Sequence, residues 1–336
     1  MNADPGVLEI ELAYDAGRLS AVRVDGVRPN VARALIGHTP KTALVLVDHL
    51  FSICGRAQHA AAALALGAAT GAPESEARAV SLARSVAHEA VQEHLWRLLL
   101  DWPRQVGVEP DVASFRYWYR AADPARGELS VSELRAALER DWLGVPLHEL
   151  SDFDVRATRE WVSGEHRPIA QVLNVLLDHG NSGRRPGIAP RESGAIDRVQ
   201  RSPWIAALLE HAPLAARVAA RVIDLGRLLD AIEHDGDLRS ACHFSVERVG
   251  ENRGESQTIV ARGLLRHEVE LDGDRICHYA LTTPTDGNFS VDGAYPWHVQ
   301  RESPRDLEAA LKLGQLWALA LDPCVQYRVF MGSGHA

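Results

Sequence analysis

Two short stretches near the start of the chain alternate apolar and polar residues, as half-buried β-strands do. They cover residues 8–12 and 19–24 and are separated by Asp15-Ala16-Gly17, a sequence typical of a tight turn. The pattern therefore predicts an N-terminal β-hairpin.

Most of the chain that follows repeats apolar residues at helical spacing instead. Pro73 and Pro103 bracket one such stretch, and Ser130 with Glu133 has the spacing of a capping box at the start of another. Residues 57–69 are rich in small side chains, which would let a helix pack closely on its neighbours. The predicted helices cover residues 31–50 with a break at 37–40, 57–69, 74–102, 130–142, 213–232 and 304–321.

The period changes again after residue 232. Residues 257–271 and 275–282 lie on either side of the turn sequence Asp272-Gly273 and predict a second hairpin. Residues 180–194 are rich in Gly, Pro and Arg and predict one mobile loop. Because no internal repeat or clear linker interrupts the chain, the sequence predicts a single domain over residues 1–336. Its expected class is α+β and predominantly helical, with N-terminal and C-terminal hairpins around a helical core.

Composition narrows the range of functions. A chain of 336 residues that is 46% hydrophobic can bury a large core, and its net charge of −9 argues against nucleic acid as a partner. The four cysteines have no close spacing, so a secreted disulfide framework is not expected. The start lacks the basic and apolar regions of a signal peptide, and residues 60–72 are too short to cross a bilayer. We therefore expect a soluble, cytoplasmic protein that binds no membrane.

Two cysteines carry the most specific chemical signal. Cys54 is followed three residues later by Ala57, and Cys324 by Tyr327, so each resembles half of a Cys-x-x-Cys metal-binding pair. Thiolates are soft ligands suited to iron, and one from each end of the chain could hold a single metal ion. The simpler interpretation of either residue is a small, buried, apolar side chain.

The residues next to each cysteine strengthen its interpretation as a metal ligand. Cys54 precedes a predicted helix, whose free N–H groups and dipole would favour a thiolate together with the charge of Arg56. Asp322-Pro323 stops the last predicted helix and would present Cys324, although Asp322 could be only a helix-end residue.

The order of these motifs resembles the large subunit of nickel–iron hydrogenases over most of the chain. In that family an Arg-Ile-Cys-Gly-x-Cys segment follows an N-terminal hairpin, and Asp-Pro-Cys-x-x-Cys-x-x-His closes the protein. Pro-Arg-Gly and Pro-Thr/Ser-Thr-Trp-Asn segments lie between them. The incomplete cysteine pairs are most similar to those of HupK/HoxV-type maturation proteins, so a hydrogenase large-subunit-like fold is expected. The matching segments are, in order, Ser52-Ile53-Cys54-Gly55, Ala261-Arg262-Gly263, Pro284-Thr285-Asp286-Gly287-Asn288 and Asp322-Pro323-Cys324.

The resemblance also implies a set of site residues. Cys54 and Cys324 would bind metal, and Arg262 and Thr285 would hold the cofactor, because the matching Arg and Ser/Thr of the enzymes donate hydrogen bonds to cyanide ligands on iron. A guanidinium and a hydroxyl suit that acceptor. Arg262 could instead pair with a surface carboxylate such as Glu255, and Thr285 could be a turn residue after a proline.

Several parts of the enzyme pattern are missing. The replacements are Ala57 and Tyr327 for the thiols that bridge nickel and iron, Phe330 and Ala61 for histidines, and Ser52 for an arginine. No glutamate for proton transfer lies around residues 4–6, and the short tail after Cys324 suggests no processed extension. The chain should therefore be neither a hydrogenase nor another enzyme. The retained cysteines match the terminal nickel ligands, so an iron carrier must hold iron in a displaced position, or its thiols must swing inward.

We therefore expect the protein to be a maturation scaffold for nickel–iron hydrogenase. It would receive low-spin iron carrying CO and two cyanides, Fe(CN)2(CO), and pass it to the immature large subunit. The resemblance implies a HypC-type chaperone, a HypD-type iron-assembly protein and the unprocessed large subunit as partners. The alternative is a metal-free chaperone that binds and protects that subunit. An enzyme with Cys54 as nucleophile is poorly supported, since no His or acid lies at an informative spacing.

A rival metal site is suggested by Cys242-His243 and Cys277-His278. Two Cys and two His would suit tetrahedral zinc. However, adjacent residues on a strand point to opposite faces, so both members of each pair can hardly converge on one ion.

Overall fold

Helices predominate in the computed structural model, which describes residues 6–15, 17–25, 31–51, 53–126, 129–179, 187–234 and 238–332. Val31–Leu35 forms a 3-10 helix, and Arg97–Asp101 and Leu138–Leu143 are π-helical. The α-helices are α1 (Pro40–Leu50), α2 (Gly55–Thr70), α3 (Glu76–Trp96), α4 (Trp102–Val106), α5 (Val112–Ala121), α6 (Val131–Ala137), α7 (Leu147–Leu150), α8 (Val155–Ser163), α9 (Pro168–Leu177), α10 (Ala195–Val199), α11 (Pro203–His211), α12 (Pro213–Glu233), α13 (Leu238–Ala241), α14 (Pro284–Asn288), α15 (Ala294–Val299) and α16 (Leu307–Leu321).

The predicted N-terminal hairpin forms and gains a third strand that the sequence pattern did not indicate. Strand β1 (Leu8–Asp15) pairs antiparallel with β2 (Arg18–Asp25). The last strand of the chain (Tyr327–Met331, numbered β7 below) pairs parallel with β1 on its other side, with Leu8 opposite Tyr327. This pairing ties the two ends of the chain together and fixes the segment that carries Cys324.

The second sheet is larger than the predicted hairpin. It contains β3 (Ser245–Gly250), β4 (Arg253–Val260), β5 (Gly263–Asp272) and β6 (Arg275–Thr282), all antiparallel and in that order. The turn about Asp272-Gly273 is confirmed, but the predicted continuous strand over residues 257–271 is wrong. Gly263 has φ +121°, and a Cβ there would overlap Ser193, so the chain can reverse direction at this point. Arg262 consequently lies in a tight turn between β4 and β5.

Most predicted helices are confirmed, but two have different ends. The helix predicted over residues 74–102 begins at Glu76, with Ser75 as its N-cap, and helical structure continues through Pro103 to Val106. Proline is tolerated because the π-helical turn precedes it and the Leu99 carbonyl accepts the Asp111 N–H at 3.1 Å instead. The last helix begins at residue 307, three residues later than predicted, because Asp306 caps it.

Part of the predicted mobile loop lies outside the described residues, namely residues 180–186. The remainder, residues 187–194, includes Glu192, whose buried carboxylate pairs with Arg217 at 2.8 Å. Within the described ranges, no helix has the length and apolar character needed to span a membrane.

The small-residue helix α2 packs closely, as predicted, against the second sheet. A Cβ added to Gly254 of β4 would lie 2.1 Å from the Ala65 carbonyl oxygen and 2.5 Å from the Ala69 nitrogen. Neither backbone atom can move without shifting the helix. Glycine at this position therefore sets the distance between α2 and the sheet, and with it the position of the N-terminus of α2.

The variant Gly254→Ala tests this contact. It should lower the free energy of unfolding by about 1–3 kcal/mol, because overpacking forces the helix and sheet apart. Urea unfolding of both variants measures the change. Gly250→Ala is the matched control, since its added Cβ would meet only the Arg253 side chain, at 3.6 Å. Equal stability of the two variants would contradict the packing account.

Candidate metal-binding site

Cys54 and Cys324 come from opposite ends of the sequence and meet in the fold. Cys54 is the residue before α2, and Cys324 follows Asp322-Pro323 at the end of α16. Both residues are partly buried, and their thiols lie within hydrogen-bonding reach of each other. The structure thus brings together the two predicted metal ligands.

Each sulfur also receives a hydrogen bond from a neutral side chain. The Thr285 hydroxyl donates to the Cys324 sulfur at 3.2 Å and accepts the Cys324 backbone N–H at 3.0 Å. Thr285 is therefore more than the turn residue that the alternative interpretation suggested. On the other side, the Gln58 amide donates to the Cys54 sulfur at 3.6 Å. The sequence analysis did not identify Gln58, although its position one helical turn after Cys54 places both on one face.

Arg262 lies beside the two thiols but is also part of a buried ion-pair network. Its Nε donates to Asp322 Oδ1 at 3.2 Å, and its Nη2 pairs with Glu93. Burial alone would lower the pKa of Arg262, but the charges of Asp322 and Glu93 outweigh it and hold the pKa above its ordinary value. The suggested pairing with Glu255 is wrong, because Glu255 pairs with Arg266 on the neighbouring strand at 2.6 Å.

Asp322 is the centre of this network. Besides Arg262, it accepts hydrogen bonds from Arg97 at 2.7 Å and Arg221 at 3.0 Å, and it is 2% exposed. Burial would raise the pKa of Asp322, but the three guanidinium groups hold it well below its usual range. Its backbone has φ +50°, a left-handed conformation that ends α16. Asp322 is a helix-end residue and a buried anion at once.

Two carboxylates on α3, those of Glu89 and Glu93, complete the surroundings of the two cysteines and Arg262. The sequence analysis missed both. Glu89 accepts the backbone N–H groups of Arg56 at 2.8 Å and Ala57 at 3.2 Å, so it caps α2 in place of the Cys54 side chain. Burial raises the pKa of Glu89 to about 7, and burial also raises the pKa of Glu93. The signal available was two acidic residues four positions apart within a largely apolar helical stretch.

The pKa of Cys54 contradicts the expectation that the helix start would favour a thiolate. The hydrogen bond with Cys324 raises the pKa of Cys54, as do burial and the nearby Cys324 and Glu89. Arg56 does not offset this, since its guanidinium donates to Asp123 at 2.7 Å and to Gln92 at 3.0 Å. The Cys54 thiol therefore keeps its proton more strongly than a free cysteine does.

The positions of the missing thiols are filled differently. Ala57 is fully buried at the start of α2, and Tyr327 begins β7. Among the described residues, no group of three or more His, Cys, Asp or Glu side chains is arranged to hold a metal ion. The rival zinc site does not form: the Cys242 thiol is buried against the Ala83 carbonyl, whereas Cys277 is exposed on β6. Ser52 and residues 4 and 5, which the sequence analysis also compared with the enzymes, lie outside the described residues.

Three proteins similar in sequence are named as hydrogenase expression/formation proteins. The chain is 27% identical to "Hydrogenase expression/formation protein HupK" of Rhizobium leguminosarum bv. viciae, over 96% of both chains. It is 27% identical to HoxV of Cupriavidus necator, over 95% of this chain and 94% of HoxV, and 29% identical to HupV of Azotobacter chroococcum mcd 1, over 96% and 98%. The predicted resemblance to HupK/HoxV-type proteins is confirmed. No family model matches the chain.

Solved structures with a similar fold are hydrogenases. The Ni-Fe-Se hydrogenase from D. vulgaris Hildenborough in the reduced state aligns with a TM-score of 0.60 and 16% identity, over 94% of this chain and 96% of that chain. The NAD+-reducing NiFe hydrogenase in its H2-reduced state aligns with a TM-score of 0.57 and 16% identity, over 93% and 94%. The predicted large-subunit-like, predominantly helical α+β fold is confirmed.

The buried Glu89 carboxyl predicts how stability depends on pH. Between its ordinary pKa of 4.5 and about 7, Glu89 is protonated in the folded protein but ionised in the unfolded chain. The folded state binds more protons there, so Glu89 makes the free energy of unfolding fall as pH rises, by up to about 1.4 kcal/mol per pH unit. Glu89→Gln should flatten this fall, as measured by urea unfolding between about pH 5 and 7.

Glu255→Gln serves as the control for that experiment. The pKa of Glu255 is lowered by its hydrogen bond from Arg266, so its proton linkage acts below this pH window. A slope that is the same in the wild type and Glu89→Gln would show that Glu89 is ionised in the folded protein.

Proposed function

We propose that the protein is a maturation scaffold for nickel–iron hydrogenase, which holds Fe(CN)2(CO) between Cys54 and Cys324 before transfer to the immature large subunit. The observation that carries this proposal is the meeting of two thiols from opposite ends of the chain, beside Arg262 and Thr285. The names of the relatives, hydrogenase expression/formation proteins, support the maturation role and a function other than catalysis.

The thiolates of Cys54 and Cys324 are suitable ligands for Fe(CN)2(CO). Iron that carries three diatomic ligands has three octahedral positions left; two thiolates fill two of them, and the donor protein supplies the third or leaves it open. Thiolates are the soft ligands that low-spin iron prefers. Two soft ligands hold the group without trapping it, as a transfer protein requires.

Arg262 and Thr285 have separate tasks in this proposal. The Nε and Nη2 groups of Arg262 are engaged by Asp322 and Glu93, which fix the plane of the guanidinium. Arg262 interacts electrostatically with Cys54 and Cys324, and its Nη1 is the group we assign to the cyanide nitrogen. Thr285 orients Cys324 through two hydrogen bonds, one to its sulfur and one from its backbone N–H.

The proposed partners follow from the route of the iron group. A HypD-type iron-assembly protein with a HypC-type chaperone would deliver it in the cytoplasm, and the unprocessed hydrogenase large subunit would receive it. A metal-free chaperone for the same subunit is the competing function, and infrared spectroscopy of the isolated protein separates the two. Protein isolated without oxygen from cells that contain the maturation machinery should show CO and CN stretching bands. Full binding to the large subunit without these bands would favour the chaperone.

Cys54→Ser and Cys324→Ser test the ligands. Each should abolish the CO and CN bands and the maturation activity with little change in melting temperature, because a hydroxyl oxygen is a poor ligand for soft iron. Cys277→Ser is the matched control, since this thiol is exposed on β6. Cys242→Ser should also retain the bands. Wild-type bands in Cys54→Ser, or their loss in Cys277→Ser, would show that the ligands are assigned wrongly.

Arg262→Ala tests the second contact with the cargo. A charge-assisted hydrogen bond to cyanide contributes about 1.5–3 kcal/mol, so its loss should weaken retention about ten- to a hundredfold and shift the CN bands more than the CO band. Arg262→Lys should restore only part of the retention, because lysine lacks the planar group of donors. Removing Arg262 also takes away one of the three guanidinium partners of Asp322 and the ion pair with Glu93, so melting temperature is recorded in parallel. Lower stability with unchanged bands would limit Arg262 to a structural role.

A further inference from the structure

A buried chain of hydrogen bonds leads away from Cys54 into the second sheet. The Gln58 amide nitrogen donates to the Cys54 sulfur at 3.6 Å, and the Gln58 oxygen lies 3.0 Å from His267 Nε2. His267 Nδ1 lies 2.6 Å from the Tyr279 hydroxyl. The three side chains come from α2, β5 and β6 and are 1%, 0% and 5% exposed. No other part of the proposed function uses His267 or Tyr279.

The direction of this chain is determined by the chemistry of its members. The amide oxygen of Gln58 can only accept, so His267 Nε2 must carry a hydrogen. Burial lowers the pKa of His267 to about 3, so the ring is neutral and its Nδ1 is an acceptor. The Tyr279 hydroxyl must therefore donate to Nδ1. The hydroxyl thereby satisfies Nδ1 in this tautomer, and the His267 Nε2–H holds the Gln58 oxygen so that the amide presents its N–H groups to the sulfur.

We infer that Gln58, His267 and Tyr279 are positioning residues that hold an N–H donor against the Cys54 sulfur and so prepare it to bind metal as a thiolate. This inference rests on the proposed function for its cargo, but it concerns the affinity of Cys54 for any soft metal. A donor to a partly buried sulfur stabilises the charged form that binds metal. Loss of such an outer partner typically weakens metal binding about ten- to a hundredfold.

A structural role alone would look different. Three buried polar groups between an alanine-rich helix and a sheet could serve only to satisfy one another. In that case the removal of Tyr279's hydroxyl would lower stability and leave metal affinity at Cys54 unchanged, because Tyr279 does not touch either cysteine. The experiment must therefore measure metal affinity and stability separately.

Cadmium provides the probe, because Cd²⁺ binds thiolates and gives a sulfur-to-metal absorption band without any iron cargo. All variants carry Cys277→Ser, which removes the exposed thiol, and Cys54→Ser shows which part of the band belongs to the site. Gln58→Leu should weaken Cd²⁺ binding about tenfold or more. Tyr279→Phe, which removes only the hydroxyl group and keeps the ring, should weaken it severalfold by freeing the His267 tautomer.

The double variant Gln58→Leu/Tyr279→Phe shows whether Tyr279 acts on Cys54 through Gln58 or independently of it. In the Gln58→Leu background, Tyr279→Phe should cause no further loss of Cd²⁺ affinity, because its effect passes through Gln58. Tyr295→Phe is the matched control: it removes another buried hydroxyl, which donates to the Gly314 carbonyl at 3.1 Å, and should leave Cd²⁺ affinity unchanged. If Gln58→Leu does not fold, the comparison of Cd²⁺ affinity between Tyr279→Phe and Tyr295→Phe still tests the positioning role.

Two different failures are possible. Equal Cd²⁺ affinity in Tyr279→Phe and Tyr295→Phe, or effects of Gln58→Leu and Tyr279→Phe that multiply, would overturn the positioning role and leave the proposed function standing. A parent protein whose absorption band does not depend on Cys54 would overturn the metal site itself, and both proposals with it.

Discussion

A single buried carboxylate, that of Asp322, holds the parts of the site in place. It is surrounded by Arg97 after α3, Arg221 in α12 and Arg262 in the β4–β5 turn, so one side chain joins three regions that are distant in sequence. A buried charge is tolerated only where it is paired, and removal of one partner costs about 3–5 kcal/mol. The same network holds the residue in its left-handed backbone conformation and directs the following segment, so the direction of Cys324 depends on it.

Local features of the fold could be predicted from the sequence because local rules determine them. The first hairpin has alternating strands, the helix α2 is rich in small residues and ends at Gly71, and the long helix α12 begins at Pro213. Features that depend on partners distant in sequence could not be predicted in this way. Strand β7 has no alternating pattern and is defined by its parallel pairing with β1, and the break at Arg262 depends on the conformation of Gly263.

The residues of the candidate site also fall into those that the sequence predicted and those that it did not. The two cysteines, Arg262 and Thr285 were found through the resemblance of short motifs, since nothing in the local sequence requires residues so far apart to meet. Glu89 and Gln58 were missed because their roles arise only when α3 and the second sheet pack against the start of α2. The expected thiolate at Cys54 failed for the same reason: burial and a neighbouring thiol outweigh the helix N-terminus.

The central claim is that iron lies between two thiolates, one from each end of the chain. Iron K-edge X-ray absorption on protein isolated without oxygen, from cells with the maturation machinery, measures this most directly. The account predicts about two sulfur neighbours per iron at about 2.3 Å, close to the zinc–sulfur value, with short bonds to carbon beside them. An iron centre without sulfur neighbours would contradict it, as would one whose sulfur neighbours persist in a protein that lacks Cys54 and Cys324.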